Sequence, residues 1–283
     1  MRIATRGSAL ALWQAETVAS LVGGAELVIV ETVADKRLDI PIDAMGGKGV
    51  FVKEVQAAVL DGRADIAVHS AKDLPAETPD GLQIGAVPTR GIVNDVLVGC
   101  RLADLPKGAH VATGSQRRRV QLELLRPDLR FSGLRGNIAT RLQKAADFDA
   151  IVMAAAALDR LQLTPDVVDV LGVDVMIPQV AQGALAVECR RDDNATLQKL
   201  ASIEDPVSRL CVDVERAFLS ELGGDCNLPI GAYAQLLGDE VSISAFCAHD
   251  PEAPEKSFGA VWKTVQCSAG EAIAAARQLA REI

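Results

Sequence analysis

Apolar and polar positions along the chain switch between a period of two and a period of about 3.6, the mark of strands interleaved with helices. Residues 2–6 read as a strand, and Ser8 can cap a helix over 9–21 that Gly23 and Gly24 end. A second strand follows at 26–33, then a loop at 34–50 that holds Gly46-Gly-Lys-Gly49. A helix over 51–60 stops at Asp61-Gly62. An apolar strand at 64–69 leads into Ser70-Ala-Lys-Asp73, and a strand at 82–87 closes the unit.

After 88–94, which reads as a hinge or crossover, the pattern repeats. Strands are predicted at 95–99, 110–113, 129–132 and 150–155, with helices at 115–125 and 137–146. The buried-looking run 184–189 suggests a chain that crosses back to complete the first unit. Such alternation favours parallel sheets covered by helices. Two units joined by two crossovers resemble a bilobal binding cleft. The last part changes character: an amphipathic helix at 206–222, a hairpin of strands 230–237 and 240–249 around Gly238-Asp239, a strand at 257–265 and a final helix. Ser268 and Glu271 form a capping box for that helix. The expected fold is therefore α/β, with two α/β domains around a cleft (1–88 plus 184–201, and 94–178) and a small C-terminal α+β domain with an antiparallel sheet (205–283).

Charge changes the picture more than length does. The 283 residues carry a net charge of −9, yet Arg117, Arg118, Arg119, Arg126, Arg130, Arg135 and Arg141 face only Glu123 and Asp128 within their stretch. Three of these arginines open the helix capped by Ser115, where cations oppose the helix dipole. That placement makes sense if an anion binds there. A basic patch in an acidic chain points to a pocket for polyanionic small molecules, and the net charge argues against nucleic acid. No apolar run reaches membrane-spanning length, and the first residues read as a strand rather than a signal peptide. Six cysteines without a C-x-x-C pair and three scattered histidines argue against a zinc site or a His-based triad, so no metal is expected; reduced thiols suit a cytoplasmic protein. The lack of an apolar stripe makes a monomer plausible.

Candidate chemistry falls in loops after strands, where ligands bind in open α/β sheets. Arg6-Gly-Ser8 suits a carboxylate, or is a solvated Arg beside an ordinary cap. Lys72 and Asp73 form a surface ion pair, or, in a cleft, Asp73 stabilises a developing cation and moves a proton. Gly46–Gly49 lacks phosphate-loop spacing and reads as a flap carrying one cation, or as a mobile loop. Thr113, Ser115, Arg117, Arg118, Arg135 and Arg141 line one anion cleft, or form a solvated basic face. Cys226, in the polar run Leu222-Gly-Gly-Asp-Cys-Asn-Leu-Pro229, has no activating base beside it. It suits a thiol that forms one permanent bond.

Taken together, these segments resemble the porphobilinogen deaminase (hydroxymethylbilane synthase) family. The matching pieces are the runs from Arg2 to Gln14, Gly46 to Glu54 and Arg63 to Pro75, Ser115-Gln-Arg-Arg118, Leu134-Arg-Gly-Asn137 with Thr140-Arg141, Leu158-Asp-Arg-Leu161, Gln182-Gly-Ala184, and Cys226-Asn-Leu-Pro-Ile-Gly231. They run in family order across nearly the whole chain. The resemblance implies two domains like those of periplasmic binding proteins and a dipyrromethane cofactor joined by a thioether to Cys226. It also implies a transferase of tetrapyrrole and haem biosynthesis, which joins four porphobilinogens head to tail into hydroxymethylbilane, losing one ammonia per unit. By the same resemblance Asp73 is the catalytic carboxylate. Ser70, Lys72, Asp73, Thr113, Ser115, Arg117, Arg118 and Arg141 match cofactor contacts, and Arg6, Ser8, Arg135, Arg141 and Arg160 match substrate contacts. Lys48 and Phe51 match a mobile loop. The chain departs from the family pattern at Gly114, at Asp225 and in Thr32-Val-Ala-Asp35. Two other classes compete: a bilobal carrier of dicarboxylates or phosphate, and a regulatory domain that binds an anionic effector.

Overall fold

The computed structural model describes residues 1–32, 52–223, 229–248 and 259–283. The first unit comprises β1 (Arg2–Thr5), α1 (Ala9–Leu21), β2 (Glu26–Ile29), α2 (Lys53–Leu60), β3 (Ile66–Ser70) and β4 (Leu82–Ala86). The second runs through β5 (Asp95–Val98), β6 (His110–Ala112), α3 (Gln116–Leu125), β7 (Arg130–Ser132), α4 (Ile138–Gln143), β8 (Ala150–Ala154), α5 (Ala155–Arg160) and β9 (Val168–Val170). The chain then forms β10 (Leu185–Arg190) and α6 (Asn194–Leu200). It ends in α7 (Pro206–Glu221), β11 (Ile230–Leu237), β12 (Glu240–Ala248), β13 (Ala260–Ser268) and α8 (Ala272–Arg281).

The first sheet has the order β2-β1-β3-β10-β4, so the apolar run after the second unit does return to the first. Both faces are covered. Ile3, Ile66 and Val187 pack against Ala15 and Val18 of α1, while Ala4, Ala67 and Leu82 pack against Val55, Ala58 and Val59 of α2. Burial on two sides explains why these strands read as continuous apolar runs instead of alternating ones. The second sheet has the order β7-β6-β8-β5-β9. Leu97, Val111 and Val152 line one face, and Val98, Ile151 and Met153 the other. The third sheet is the antiparallel β11-β12-β13, with Ile243 and Ala245 buried beside Phe218 of α7 and Leu279 of α8.

The two larger sheets are mixed, which corrects the expectation of parallel sheets. β1 is parallel to β2 and β3, but β10 is antiparallel to β3 and β4. β6 is parallel to β7 and β8, but β5 is antiparallel to β8 and β9. The reversed strands are those that the two crossovers deliver. Strand β9 and the short helices α5 and α6 were not legible in the periodicity. The helix expected over 137–146 is six residues long and continues as a 3-10 turn. Ser268 donates to Glu271 Oε2 at 2.6 Å, but the pair brackets a 3-10 turn, and the α-helix begins only at Ala272.

The crossovers are pinned by one buried carboxylate. Arg90 donates from Nη1 and Nη2 to Glu215 Oε1 and Oε2 at 2.7 and 3.0 Å. Glu215 also accepts the backbone N–H of Ala181 (2.6 Å) and of Ala234 (2.8 Å). Residue 90 lies in the first crossover, 181 in the second and 234 in the third sheet, so Glu215 of α7 ties three parts of the fold together. Among the described residues no helix is long and apolar enough to cross a membrane, and no group of His, Cys, Asp and Glu is placed to hold a metal ion.

Candidate active site

The C-terminal ends of β1 and β3 lie side by side because the two strands pair in parallel. The residues that follow them line one pocket: Arg6, Ser8, Ser70 and Asp73, with Gln14, Val55 and His69. Ser8 caps α1 by accepting from the N–H of Ala11 at 3.3 Å. Gln14, one turn further along α1 and 3% exposed, donates from Nε2 to Ser70 Oγ at 2.7 Å. Ala71–Asp73 form a 3-10 turn, which lifts Asp73 into an exposed position while Ala71 stays buried. Beneath the pocket His69 Nε2 is 3.1 Å from Glu188 Oε2, and Gln56 Nε2 donates to both oxygens of Glu188, at 3.1 and 2.9 Å.

On the second unit, the anion facing the start of α3 is supplied by the chain itself. Asp95, fully buried at the start of β5, accepts from Arg117 Nη2 at 2.7 Å. Arg118 donates to the other oxygen from Nε (3.0 Å) and Nη2 (2.8 Å). Arg117 also donates to Ile177 O at 2.5 Å and is only 3% exposed. The expectation that first-turn arginines stand free for an outside anion is corrected on this point: Asp95 is their counterion. Burial by itself pushes the Asp95 carboxyl up, but Arg117 and Arg118, helped by a hydrogen bond from Gln182, outweigh it and hold the group well below the usual carboxylate range.

Ser115 caps α3 as expected, accepting from Arg118 N at 3.4 Å, and its own N–H donates to Thr113 Oγ1 at 3.2 Å. At Gly114 a Cβ would stand 2.8 Å from Leu134 O. The backbone there passes too close to the neighbouring strand's exit for a side chain to fit unmoved. Asn137 caps α4 by accepting from Thr140 N at 2.9 Å, and Arg141 Nε donates to Gly136 O at 2.8 Å. Arg135 is exposed. Arg160, at the end of α5, donates to Gly183 O at 2.7 Å and stacks over the ring of Trp13, 5.5 Å from its centroid. It thereby touches the first unit from the second.

The electrostatics converge on Asp73. Burial lowers the Lys72 ammonium to about 8; Arg118 adds to the effect, and Asp73 and Asp95 oppose it. Burial, Arg118 and Arg135 lower the guanidinium of Arg141, against the pull of Asp73. Burial also lowers that of Arg160, against Asp159 and Asp73. Asp73 thus acts electrostatically on Lys72, Arg141 and Arg160, each with its charge disfavoured by desolvation. An ammonium and two guanidiniums form a donor set that suits carboxylates. Lys48, Phe51 and Cys226 lie outside the described residues.

The amino-acid pattern of the first 198 residues matches the family model described as porphobilinogen deaminase, dipyromethane cofactor binding domain, and residues 209–283 match that of the porphobilinogen deaminase C-terminal domain. The chain belongs to the porphobilinogen deaminase family. A porphobilinogen deaminase from Maridesulfovibrio salexigens is 46% identical over 257 residues, covering 87% of this chain and 83% of the relative. One from Syntrophomonas wolfei is 42% identical over an alignment of 294 residues, covering 100% of this chain and 94% of the relative. Among solved structures, the Bordetella pertussis BvgS periplasmic VFT2 domain aligns with a TM-score of 0.40 at 16% identity, covering 72% of this chain and 86% of that one.

For a porphobilinogen deaminase, five polar side chains at or beneath the site were not among the sequence candidates: Gln14, Asp95, Gln182, His69 and Glu188. Asp95 and Glu188 sit inside apolar strand runs, where an isolated acid is a signal of a buried partner. Gln14 and Gln182 carry no charge and gave no such signal.

Proposed function

We propose that this chain joins porphobilinogen molecules head to tail, with loss of ammonia, into the linear tetrapyrrole hydroxymethylbilane, growing the product from a dipyrromethane bound through a thioether to Cys226. The observation that carries the reading is the placement of Asp73, an exposed carboxylate at the C-terminal end of β3 within the electrostatic reach of Lys72, Arg141 and Arg160. A dipyrromethane, when bound, supplies the pyrrole end from which the chain grows. In this reading Ser70, Lys72, Asp73, Thr113, Ser115, Arg118 and Arg141 contact it, the cations holding its carboxylates, and Arg117 acts through Asp95. Arg6, Ser8, Arg135, Arg141 and Arg160 receive the acetate and propionate of the incoming porphobilinogen.

Asp73 then has two tasks. Departure of the aminomethyl nitrogen as ammonia leaves positive charge on the substrate pyrrole, and a fixed carboxylate stabilises that charge. When the new carbon–carbon bond has formed, a pyrrole carbon must lose its proton, and the same carboxylate accepts it. Gln14 holds Ser70 and so the loop from which Asp73 projects. Trp13 and Gly183 hold Arg160 at the junction of the two units. The reading includes domain limits of 1–88 plus 184–201, 94–178 and 205–283, and a cytoplasmic monomer that binds neither nucleic acid nor membrane.

An intact denatured mass, followed by peptide mapping across Cys226, tests the reading. We expect an added mass of two porphobilinogens less two ammonias on that peptide, and its absence from Cys226→Ser. A chain that stays unmodified after incubation with porphobilinogen would overturn the reading in favour of a bilobal carboxylate carrier.

A further inference from the structure

Gln182 is fully buried in the second crossover, and every polar atom of its side chain is engaged. Its Nε2 donates to Val93 O at 2.7 Å and to Asp95 Oδ1 at 2.9 Å. Both partners are pure acceptors, so the amide cannot be turned round without setting oxygen against oxygen twice. Its Oε1 is thereby aimed at the opposite side, where Lys72 Nζ donates to it at 3.1 Å. Gln179, in the same crossover, fixes the other end of that residue, donating from Nε2 to Lys72 O at 3.2 Å.

We infer that Gln182 is a positioning residue: its clamped amide fixes where the Lys72 ammonium stands in the cleft and ties it to Asp95 of the second unit. The argument is geometric. A lysine side chain has four rotatable carbons and no preferred direction of its own, so an ordered ammonium needs an acceptor held in place. Asp95 already accepts from Arg117 and Arg118, and the amide of Gln182 is the hydrogen-bonded link from it to Lys72. A neutral bridge suits the place. It orients the ammonium without neutralising it, leaving the charge available to a carboxylate of the ligand. A carboxylate at 182 would stand against Asp95. The charged groups that act on Lys72 are Arg118, Arg117, Asp73 and Asp95, and Gln182 joins the last of these to it. The link also crosses between the units, since Lys72 follows β3 and Asp95 opens β5. A change in the angle between the units therefore moves the ammonium.

The inference rests on the proposed role of Lys72 as a carboxylate contact, and its test separates the two. The titration of Lys72 is read by trace acetylation of the whole protein across pH 6.5 to 10.5 with peptide mass spectrometry, a readout independent of turnover. Gln182→Met should move the Lys72 midpoint down by roughly one pH unit, the shift expected when a charged group loses one hydrogen bond. Gln179→Met, which removes only the bond to the Lys72 backbone, should leave the midpoint in place. An unmoved midpoint in a folded Gln182→Met protein overturns the inference, as does an equal shift in both variants. Should Gln182→Met fail to fold, the unaltered protein gives the answer through its glutamine side-chain amide resonances. The Gln182 signal should shift with a midpoint near that of Lys72, and a signal constant from pH 7 to 10 overturns the inference. Dipyrromethane loading, read by intact mass, is the separate arm. A shifted Lys72 with unchanged loading supports the positioning role and removes Lys72 from the cofactor contacts.

Discussion

Asp95 and Arg118 meet through a forked contact in which the guanidinium Nε and Nη2 both donate to Oδ1, at 3.0 and 2.8 Å, with the carboxylate fully buried. With the contact from Arg117, it compensates two of the three cations in the first turn of α3. Buried charges persist only when paired and hydrogen-bonded.

Removing that counterion should therefore be costly. Asp95→Asn leaves Arg117 and Arg118 buried with their charge uncompensated, and we expect a loss of about 3–5 kcal/mol in urea unfolding. The pH dependence has a fixed sign. The folded-state carboxyl of Asp95 is depressed, so its stabilisation is complete above its unfolded value of about 4 and is lost as pH falls below that. Acid unfolding of the unaltered protein should be steeper below pH 4 than that of Asp95→Asn. Parallel acid-unfolding curves would contradict the assignment.

Lys72 has the same sign of slope in a higher pH window, because its folded-state value is also depressed. Its ammonium titrates at about 8 in the folded protein, against an ordinary value of 10.5. Between those values the unfolded chain binds more protons, so this group makes stability rise with pH across the window. Binding of a carboxylate runs the other way, because it needs the charged form. Cofactor assembly from porphobilinogen should fall as pH passes 8, and Lys72→Met should flatten that limb. Rates measured at several pH values on both proteins decide it.

Asp73 is exposed on a turn, away from the core clusters, so its replacement should hardly alter stability. For Asp73→Ala we expect a melting point close to that of the unaltered protein, a stability change within about 0.5 kcal/mol, and a turnover rate lower by roughly 10²–10⁴. A variant that turns over at near the original rate would remove Asp73 from the chemistry.

Gly114 should resist a hydroxyl. Gly114→Ser adds a hydroxyl at a position where the chain departs from the family pattern, but its Cβ would meet Leu134 O at 2.8 Å. We expect the loop between β6 and α3 to shift, with a loss of about 1–3 kcal/mol. Calorimetry that showed an unchanged or higher melting temperature would mean that the loop moves freely.

Sequence by itself determined most of the element order, the caps at Ser8 and Ser115, the C-terminal hairpin, the family and the returning strand. Each of these depends on neighbours in the chain: a capping hydroxyl bonds a backbone N–H three residues on, and a buried strand is apolar wherever it goes. Only the tertiary structure decided which charges are free. Arg117 and Arg141 are the same residue type in the same basic stretch, yet one is locked to Asp95 while the other is held by a backbone carbonyl beside Asp73. Asp95 lies 22 residues before Arg117, and Gln182 lies 110 residues after Lys72. The strand direction was hidden for the same reason, since β5 and β10 are as apolar as parallel strands and are reversed by where the crossovers deliver them. Hydrophobic burial has a period that a chain displays locally. Charge compensation depends on which distant groups the fold brings within 3 Å or so, and no local pattern records that.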